Sequence, residues 1–270
     1  MRRSLTFASK ELLLNQARVD FCSRGNSLGS VGDPPLDAQF VGPRARHIRS
    51  FAIRRGHVTV RQRRGYTELF PMIAVPYRAE VITAPRLYGR DAPLVLEIGF
   101  GMGEATAAIA QQHPEIDFLG VEVYVAGIGA LARRVHEANL KNVRIIEHDA
   151  VEVVRDMIAP SSLQGIHVFF PDPWPKVRHH KRRLIAQPFI GMLVERLQPG
   201  GYLHCSTDWE NYAVQMLQAL SQEKRLRNLH ADYAPQARNP CCERPTTKFH
   251  ARGTLLGHRV WDLVLERPPQ

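Results

Sequence analysis

The chain has 270 residues, of which 44% are hydrophobic and 23% are charged, so it is long enough to bury one sizeable core. No apolar run approaches the roughly 20 residues that span a bilayer, and the basic start of the chain lacks the apolar core of a secretory signal. We therefore expect a cytoplasmic protein without a membrane partner. The formal net charge of +10 favours a polyanionic partner, although basic charge alone is also compatible with other soluble proteins.

The cysteines give no sign of a metal site. They form no CxxC pair, and two of them are adjacent, which suits neither zinc nor an ordinary disulfide framework. They are Cys22, Cys205, Cys241 and Cys242. We expect no bound metal.

Two segments precede the first regular pattern. Residues 1–43 are rich in turn formers and have little apolar periodicity, which predicts a disordered extension. Residues 44–64 hold eight arginines interspersed with apolar side chains, and we take 44–270 as one domain that begins with this basic arm. A solvated basic face is one interpretation of the arm, and an RNA-contacting arm is the one we favour.

After a connector punctuated by prolines, apolar strands alternate with amphipathic helices. This alternation predicts an α/β fold with a doubly wound, mostly parallel, Rossmann-like sheet. The predicted strands are 94–100, 117–124, 142–149, 166–174, 201–208 and 259–267. The predicted helices are 104–112, 125–140, 150–158, 187–197 and 211–222.

A glycine-rich turn joins the first predicted strand to its helix. It contains Gly99, Gly101 and Gly103, in the position where such folds bind a nucleotide. The dinucleotide fingerprint G-x-G-x-x-G would need glycine where this chain has Glu104. Because Glu97 and Glu104 flank the turn, they serve a cationic ligand better than an anionic one. S-adenosylmethionine, which carries a sulfonium and an ammonium group, is therefore favoured over NAD.

Acidic residues also end the second and third predicted strands. Glu122 is placed to accept hydrogen bonds from both ribose hydroxyls, and Asp149 is placed to reach the adenine edge. An acidic residue after a strand is often only a helix cap, and Asp149 could simply cap the helix that follows it. Together with the glycine turn, the carboxylates predict a methyl-donor site at the carboxyl edge of the sheet.

The fourth predicted strand runs into Pro171-Asp172-Pro173-Trp174, followed by a basic run at 176–183. The prolines fix a rigid turn, which we expect to direct Asp172 and Trp174 toward the methyl-donor site. The basic run could be a solvated loop, but its coupling to a carboxylate and an aromatic residue favours contact with nucleic acid. Trp174 either stacks on a base or only packs.

These motifs resemble the bacterial tRNA (guanine-N7-)-methyltransferase family. The similarity extends from about Ile48 to Glu266 and rests on EIGFGMGE, GVEVY, EHDA, FFPDPWPK with RHHKRR, STDWENYA and RPTTKF. The resemblance implies a class I methyltransferase fold, S-adenosylmethionine as methyl donor, tRNA as partner and methylation of guanosine 46 in the variable loop. The sequence itself gives no sign of a metal site or of an obligatory protein partner.

The resemblance also implies roles for individual residues. Asp172 would be catalytic and would also belong to the methyl-donor site, together with Glu97, Gly99, Gly101, Gly103, Glu122 and Asp149. Substrate-binding roles would fall to Lys176, Asp208, Thr247, Lys248, Phe249 and His250. Family members usually have Glu where this chain has His250, so that contact is either lost or made differently.

Three other functions are compatible with parts of the pattern. An amino-group methyltransferase acting on adenine or cytosine typically has [DNS]-P-P-[FYW] after the fourth strand, one proline more than Asp172-Pro173-Trp174. A non-catalytic RNA-binding protein could retain a relic fold, but the intact glycine turn and acidic set argue against it. An NAD-dependent enzyme is disfavoured by Glu104.

Overall fold

The structure is a computed structural model that describes residues 49–52 and 58–269. The predicted extension at 1–43 and part of the basic arm lie outside the described residues. The described residues all belong to one compact unit.

The described elements alternate along the chain as the sequence predicts, with several short additions. The helices are α1 (Val60–Arg64), α2 (Ala84–Tyr88), α3 (Glu104–Gln112), α4 (Val125–Glu137), α5 (Ala150–Asp156), α6 (Phe189–Arg196), α7 (Glu210–Ser221) and α8 (Lys248–Leu255). The strands are β1 (Leu94–Ile98), β2 (Asp117–Glu122), β3 (Val143–Glu147), β4 (Leu163–Phe169), β5 (Leu197–Thr207), β6 (Arg227–Asn228) and β7 (Trp261–Glu266).

The strands form one seven-stranded sheet in the order β3-β2-β1-β4-β5-β7-β6. Strands β1 to β5 pair in parallel, whereas β7 runs antiparallel to β5 and to β6. All five residues of β1 are buried, as expected for the central strand of a parallel sheet that is covered on both faces. The predicted doubly wound, mostly parallel sheet is confirmed.

Helices cover both faces of the sheet. One core cluster joins alternate residues of β1 to side chains of α5, α6 and α7. The opposite cluster joins Val95 to α3 and α4, with Tyr66 and Phe70 packed against it. The carboxyl ends of the parallel strands therefore meet at one edge of the sheet, between the two helical layers.

The boundary between α6 and β5 differs from the predicted one. The sequence predicts that Pro199-Gly200-Gly201 closes a helix and precedes the strand, but β5 begins at Leu197 and includes these residues. Gly200 has a φ of +79°, and its N–H donates to the carbonyl of Arg267 at 2.7 Å. Pairing with the chain that follows β7 thus keeps this segment in the sheet. The fourth strand ends at Phe169 instead of Trp174, because Phe170 has a φ of +51° and a proline follows it.

The C-terminal part of the basic segment packs closely against α4. Helix α1 continues through a π-helical turn (Gly65–Leu69) and a 3-10 turn (Phe70–Met72). A Cβ atom on Gly65 would lie 2.1 Å from the carbonyl oxygen of Gly129 in α4, so only glycine allows this approach. Arg61, Arg63 and Arg64 remain exposed on the outer side of the turn.

Candidate active site at the carboxyl edge of the sheet

A cavity of about 720 Å³ opens at the carboxyl ends of β1, β2 and β4. Nine of the residues predicted for the site line it, namely Glu97, Gly99, Gly101, Glu122, Asp172, Asp208, Thr247, Lys248 and Phe249. The other predicted residues, Gly103, Asp149, Lys176 and His250, do not line the cavity. The structure thus brings predicted methyl-donor residues and predicted substrate-binding residues together at one cavity, although the role of each residue stays a prediction.

The glycine turn between β1 and α3 requires glycine for two reasons. Gly99, Gly101 and Gly103 have φ values of +73°, +54° and +66°, which L-residues rarely adopt. A Cβ atom would meet nothing within 4 Å at Gly99 or Gly101, but it would lie 2.6 Å from Leu131 Cβ at Gly103. Gly103 therefore allows the turn to pack on α4, whereas Gly99 and Gly101 leave open space on the cavity side.

Glu97 is the most deeply buried carboxylate of the site. It occupies β1 and points to the same face as Val95, and only 2% of its surface is exposed. Burial raises the pKa of Glu97 to about 7; the neighbouring Thr106 hydroxyl opposes the rise and the charge of Glu122 adds to it. Its Oε2 has no hydrogen-bond partner among the residues that the structure describes. A buried carboxylate in this state is suited to a ligand that brings a positive charge and N–H donors.

Glu122 ends β2 and braces the glycine turn. Its Oε2 accepts from the N–H of Gly101 at 2.9 Å, and its Oε1 accepts from the N–H groups of Val123 (2.6 Å) and Tyr124 (3.0 Å). Glu122 thus fixes the spacing between the turn and the end of β2. This contact does not preclude the predicted bond to ribose hydroxyls, because a carboxylate offers about four acceptor positions.

Asp149 caps α5. Its side chain accepts from the N–H of Val151 at 2.9 Å, as the capping alternative for this residue requires. Its neighbours His148 and Ala150 line the cavity, although Asp149 does not. The predicted contact with adenine stays a prediction.

Glu104 lines the cavity, and its carboxylate has two partners within the protein. Its place beside a cationic ligand stays a prediction. Its Oε1 pairs with Arg134 of α4 at 3.0 Å, and its Oε2 accepts from the backbone N–H of Lys248 at 2.9 Å.

The Pro171–Trp174 turn holds Asp172 at the cavity wall, beyond the end of β4. Phe170 and Trp174 both have positive φ values, 51° and 46°, so the backbone is strained at the residue before the turn and at the last residue of the turn. Arg183 stabilises it by donating to the carbonyl of Pro173 at 2.9 Å and to Asn211 Oδ1 at 2.8 Å. The turn is therefore fixed by contacts from outside its own sequence.

Trp174 packs within the protein and does not line the cavity. Its indole N–H donates to the carbonyl of Ser50 at 2.9 Å, and the guanidinium carbon of Arg182 lies 3.7 Å from the ring centroid. Arg182 also donates to the carbonyls of Arg49 and Phe51. Because one ring face is covered by Arg182, the structure favours the packing role of Trp174 over stacking on a base.

The predicted basic run at 176–183 has two parts. Arg182 and Arg183 form the internal contacts described above, and burial lowers the pKa of Arg183. Lys176, Arg178 and Lys181 are exposed. Only the charged side chains of this second group are exposed to solvent.

The predicted substrate segment forms the start of α8, which the sequence does not predict. Thr247 caps the helix by accepting from the N–H of His250 at 3.2 Å. Phe249 is 57% exposed, and its ring lies 5.2 Å from that of Phe170 in an edge-to-face arrangement. Asp208, after β5, lies 3.5 Å from His258 Nδ1.

Arg244 is a cavity-lining residue that we did not assign to the site. It is only 3% exposed and forms a bidentate pair with Asp262, at 3.0 Å and 2.7 Å. It also donates to His250 Nδ1 at 3.2 Å, and burial together with the Arg244 charge lowers the pKa of His250. A neutral His250 therefore accepts a hydrogen bond from Arg244. The conspicuous RPTTKF segment was the available signal, since it contains Arg244.

Comparisons with known proteins agree with this architecture. A family model described as "Putative methyltransferase" matches residues 91–263. The crystal structure of the 16S rRNA methyltransferase KamB superposes with a TM-score of 0.51 at 14% identity, covering 70% of this chain and 95% of that one, which shows a common fold.

Curated relatives match over a longer range. The tRNA (guanine-N(7)-)-methyltransferase of Bordetella pertussis is 57% identical over 225 residues, which cover 83% of this chain and 87% of the relative. The protein of the same name from Paraburkholderia xenovorans is 55% identical over 242 residues and covers 90% of each chain. None of the helices formed by residues 58–269 is long and apolar enough to cross a membrane. The chain belongs to the tRNA (guanine-N(7)-)-methyltransferase family.

Proposed function

We propose that this chain transfers a methyl group from S-adenosylmethionine to N7 of guanosine 46 in the variable loop of tRNA. The observation that carries the proposal is that one cavity is lined both by Glu97 and the glycine turn and by Asp172 and the Thr247–Phe249 segment. Relatives that are 55–57% identical bear the name of this guanine-N7 activity. Guanosine 46 itself is proposed from the resemblance of the motifs.

The residues present fit the methyl donor. Glu97 Oε2 is a buried acceptor without a partner among the described residues, and an ammonium group would supply N–H donors and positive charge. Gly99 and Gly101 leave space beside the backbone, which a side chain would otherwise fill. The cavity volume lies within the range of roughly 300–1,000 Å³ that is usual for small-molecule sites. Glu97, the glycine turn and Glu122 would hold the donor, which supplies a methyl group on a positively charged sulfur when bound.

Guanine N7 has an in-plane lone pair and no proton to lose, so the reaction needs no strong general base. The N7 lone pair forms the new C–N bond while the C–S electron pair leaves with sulfur, and the positive charge moves to the base. Asp172 would stabilise this charge, or would hold the guanine edge by accepting from its N1–H and N2–H₂ groups. Alignment of N7 with the methyl group is the main requirement, and it is met by residues that fix the base.

The acceptor base is bound by the residues around α8. Asp208, Thr247 and Lys248 would position the nucleotide, and the exposed ring of Phe249 is available at the cavity wall for contact with a base. Taking a base out of its stack costs a few kcal/mol, which these contacts would offset. Trp174 is not needed for this step, since Arg182 covers one face of its ring.

The exposed basic residues would bind tRNA phosphates. They are Arg61, Arg63 and Arg64 of α1 and Lys176, Arg178 and Lys181 after β4. Such contacts release counterions, so tRNA affinity should fall steeply as salt rises. A binding constant that is insensitive to salt would contradict this part of the proposal.

The decisive experiment incubates the protein with labelled S-adenosylmethionine and tRNA, followed by nucleoside analysis. We expect 7-methylguanosine, and we expect its loss when a transcript carries adenosine at position 46. Label in a methylated exocyclic amine would instead favour the amino-group methyltransferase. Binding of S-adenosylhomocysteine without any methylated nucleoside would favour a non-catalytic RNA-binding protein.

A further inference from the structure

Helix α8 carries the predicted substrate segment, yet none of its residues is buried. Its position therefore depends on a few contacts with the domain. Phe249 touches Phe170, and His250 accepts from Arg244, so two contacts reach the end of β4 and the Arg244 side chain. The third contact is the hydrogen bond from the Lys248 N–H to Glu104, and it reaches the glycine turn instead.

Glu104 is placed to join two parts of the cavity that are far apart in sequence. It is the first residue of α3 and directly follows Gly103 of the glycine turn. Arg134 of α4 holds one carboxylate oxygen at 3.0 Å, which orients the other toward the start of α8, 2.9 Å from the Lys248 nitrogen. The carboxylate thus lies at the N-terminal end of α8, where negative charge is favourable and N–H groups lack helical partners.

We propose that Glu104 is a positioning residue that fastens α8 to the glycine turn, so that the turn that binds the methyl donor also sets the position of the tRNA-binding segment. The roles of the turn in methyl-donor binding and of α8 in tRNA binding rest on the proposed function. The bond that fastens α8 to the turn is a property of the protein alone. Because turn and helix share this bond, ordering one of them lowers the cost of ordering the other. Binding of the methyl-donor product S-adenosylhomocysteine should therefore protect α8, and the two ligands should bind cooperatively.

The bond can be removed from the helix side with a matched pair of variants. Lys248→Ala and Lys248→Pro both remove the lysine side chain, but only proline also removes the N–H that Glu104 accepts. Proline is well tolerated at the first position of a helix, and Thr247 has the extended conformation that a following proline requires, with φ −83° and ψ 166°. The comparison of these two variants isolates the backbone donor.

The proposal predicts how this comparison depends on residue 104. In the chain with Glu104, the KM for tRNA should be about tenfold higher for Lys248→Pro than for Lys248→Ala, as expected for a lost bond to a charged acceptor. In the Glu104→Ala background the difference should shrink below about twofold, because the acceptor is already absent. Glu104→Gln keeps an acceptor oxygen and should restore most of the difference. An equal penalty in all three backgrounds would overturn the proposal.

A charge control separates positioning from general electrostatics. Glu137→Ala removes a carboxylate from α4 that pairs only with the neighbouring Arg133 in the described contacts. Loss of a negative charge should leave tRNA affinity unchanged or slightly improve it. We therefore expect opposite directions, with weaker tRNA binding for Glu104→Ala and no weakening for Glu137→Ala. Weakening of the same size in both variants would contradict a positioning role.

Two measurements on the protein test the fastening without any methylation assay. Amide hydrogen exchange across 249–256 should be faster in Glu104→Ala, and S-adenosylhomocysteine should slow it in the wild type but not in the variant. Calorimetry should give a Kd for S-adenosylhomocysteine within about twofold of the wild type. A large loss of this affinity with unchanged exchange would make Glu104 a ligand-binding residue and overturn the proposal. If the wild type made no 7-methylguanosine, the exchange result would still decide the fastening.

Discussion

The two sides of the cavity are held in place by different kinds of contact. On the methyl-donor side, a buried central strand leads into a turn whose geometry is set by glycine backbones, and Glu122 completes it through three backbone N–H groups. On the acceptor side, side chains from distant parts of the chain hold the Pro171–Trp174 turn, Arg244 and α8. The methyl-donor side is thus fixed mainly by secondary structure, whereas the acceptor side is fixed by tertiary polar contacts. Substitutions should therefore affect the two sides in different ways.

The largest effect should come from breaking the buried pair on the acceptor side. Arg244→Ala leaves the Asp262 carboxylate buried with only the hydrogen bond to His204 among its described side-chain contacts, and should destabilise the protein by about 3–5 kcal/mol. Burial alone would raise the pKa of Asp262, and the hydrogen bonds from His204 and Arg244 outweigh it and hold this pKa below its usual range. Denaturant unfolding near neutral pH measures the change.

An exposed ion pair provides the control for this experiment. Arg86→Ala breaks a solvent-exposed pair with Glu80 and should cost no more than about 0.5 kcal/mol. Similar costs for the two arginines would show that the Arg244–Asp262 pair does not hold the acceptor side.

The next largest effect concerns chemistry and not stability. Asp172→Ala should lower kcat for tRNA methylation by about 100-fold or more, because a carboxylate near the developing charge is removed. The tRNA dissociation constant, measured by filter binding, should change little. Asp91→Ala, which removes an exposed carboxylate, is the charge control. Unchanged turnover in Asp172→Ala would remove its assigned catalytic role.

The difference between the two sides of the cavity also explains which features could be predicted from the sequence. The glycine turn was predictable because its backbone conformation requires glycines, and these glycines directly follow an apolar strand in the sequence. Helix α8 was not, because its segment has no buried apolar stripe and its N-terminal N–H binds Glu104, 144 residues earlier. Likewise, the packing of Trp174 depends on Ser50, 124 residues away. Contacts of such separation leave no local pattern, so the acceptor residues were identified by resemblance to a family and not by periodicity.

Within the glycine turn, two glycines should respond differently to substitution. Gly103→Ala places a methyl group against Leu131 at an unfavourable φ, and should destabilise the protein by about 2–3 kcal/mol. Gly99→Ala meets no atom within 4 Å and should cost only about 1 kcal/mol for its φ, while impairing S-adenosylhomocysteine binding. Thermal unfolding and calorimetry separate the two effects. Equal destabilisation would mean that packing on α4 does not fix the turn.

Glu97 links stability to pH on the methyl-donor side. Since its pKa is about 7 in the folded protein against 4.5 for an ordinary glutamate, the folded state holds its proton more tightly than the unfolded state does. Its contribution to stability is therefore lost as pH rises from about 4.5 to about 7. Glu97→Gln should remove this loss and stabilise the protein at pH 8 by about 3 kcal/mol, measured by denaturant unfolding. A destabilised variant at pH 8 would show that burial does not dominate at this site.

The smallest expected effect is the release of protons when a cationic ligand binds. Near pH 7 part of the unliganded protein carries a proton on Glu97, and an ammonium group lowers the pKa of the carboxyl, so binding should release a fraction of a proton. Calorimetry of S-adenosylhomocysteine binding in buffers of different ionisation enthalpy measures this number. The release should be absent in Glu97→Gln and should fade above pH 8, where the wild-type carboxylate is already ionised. A release that persists in Glu97→Gln would assign the proton to another group. Glu97 Oε2 would then have no demonstrated role in binding the ammonium group.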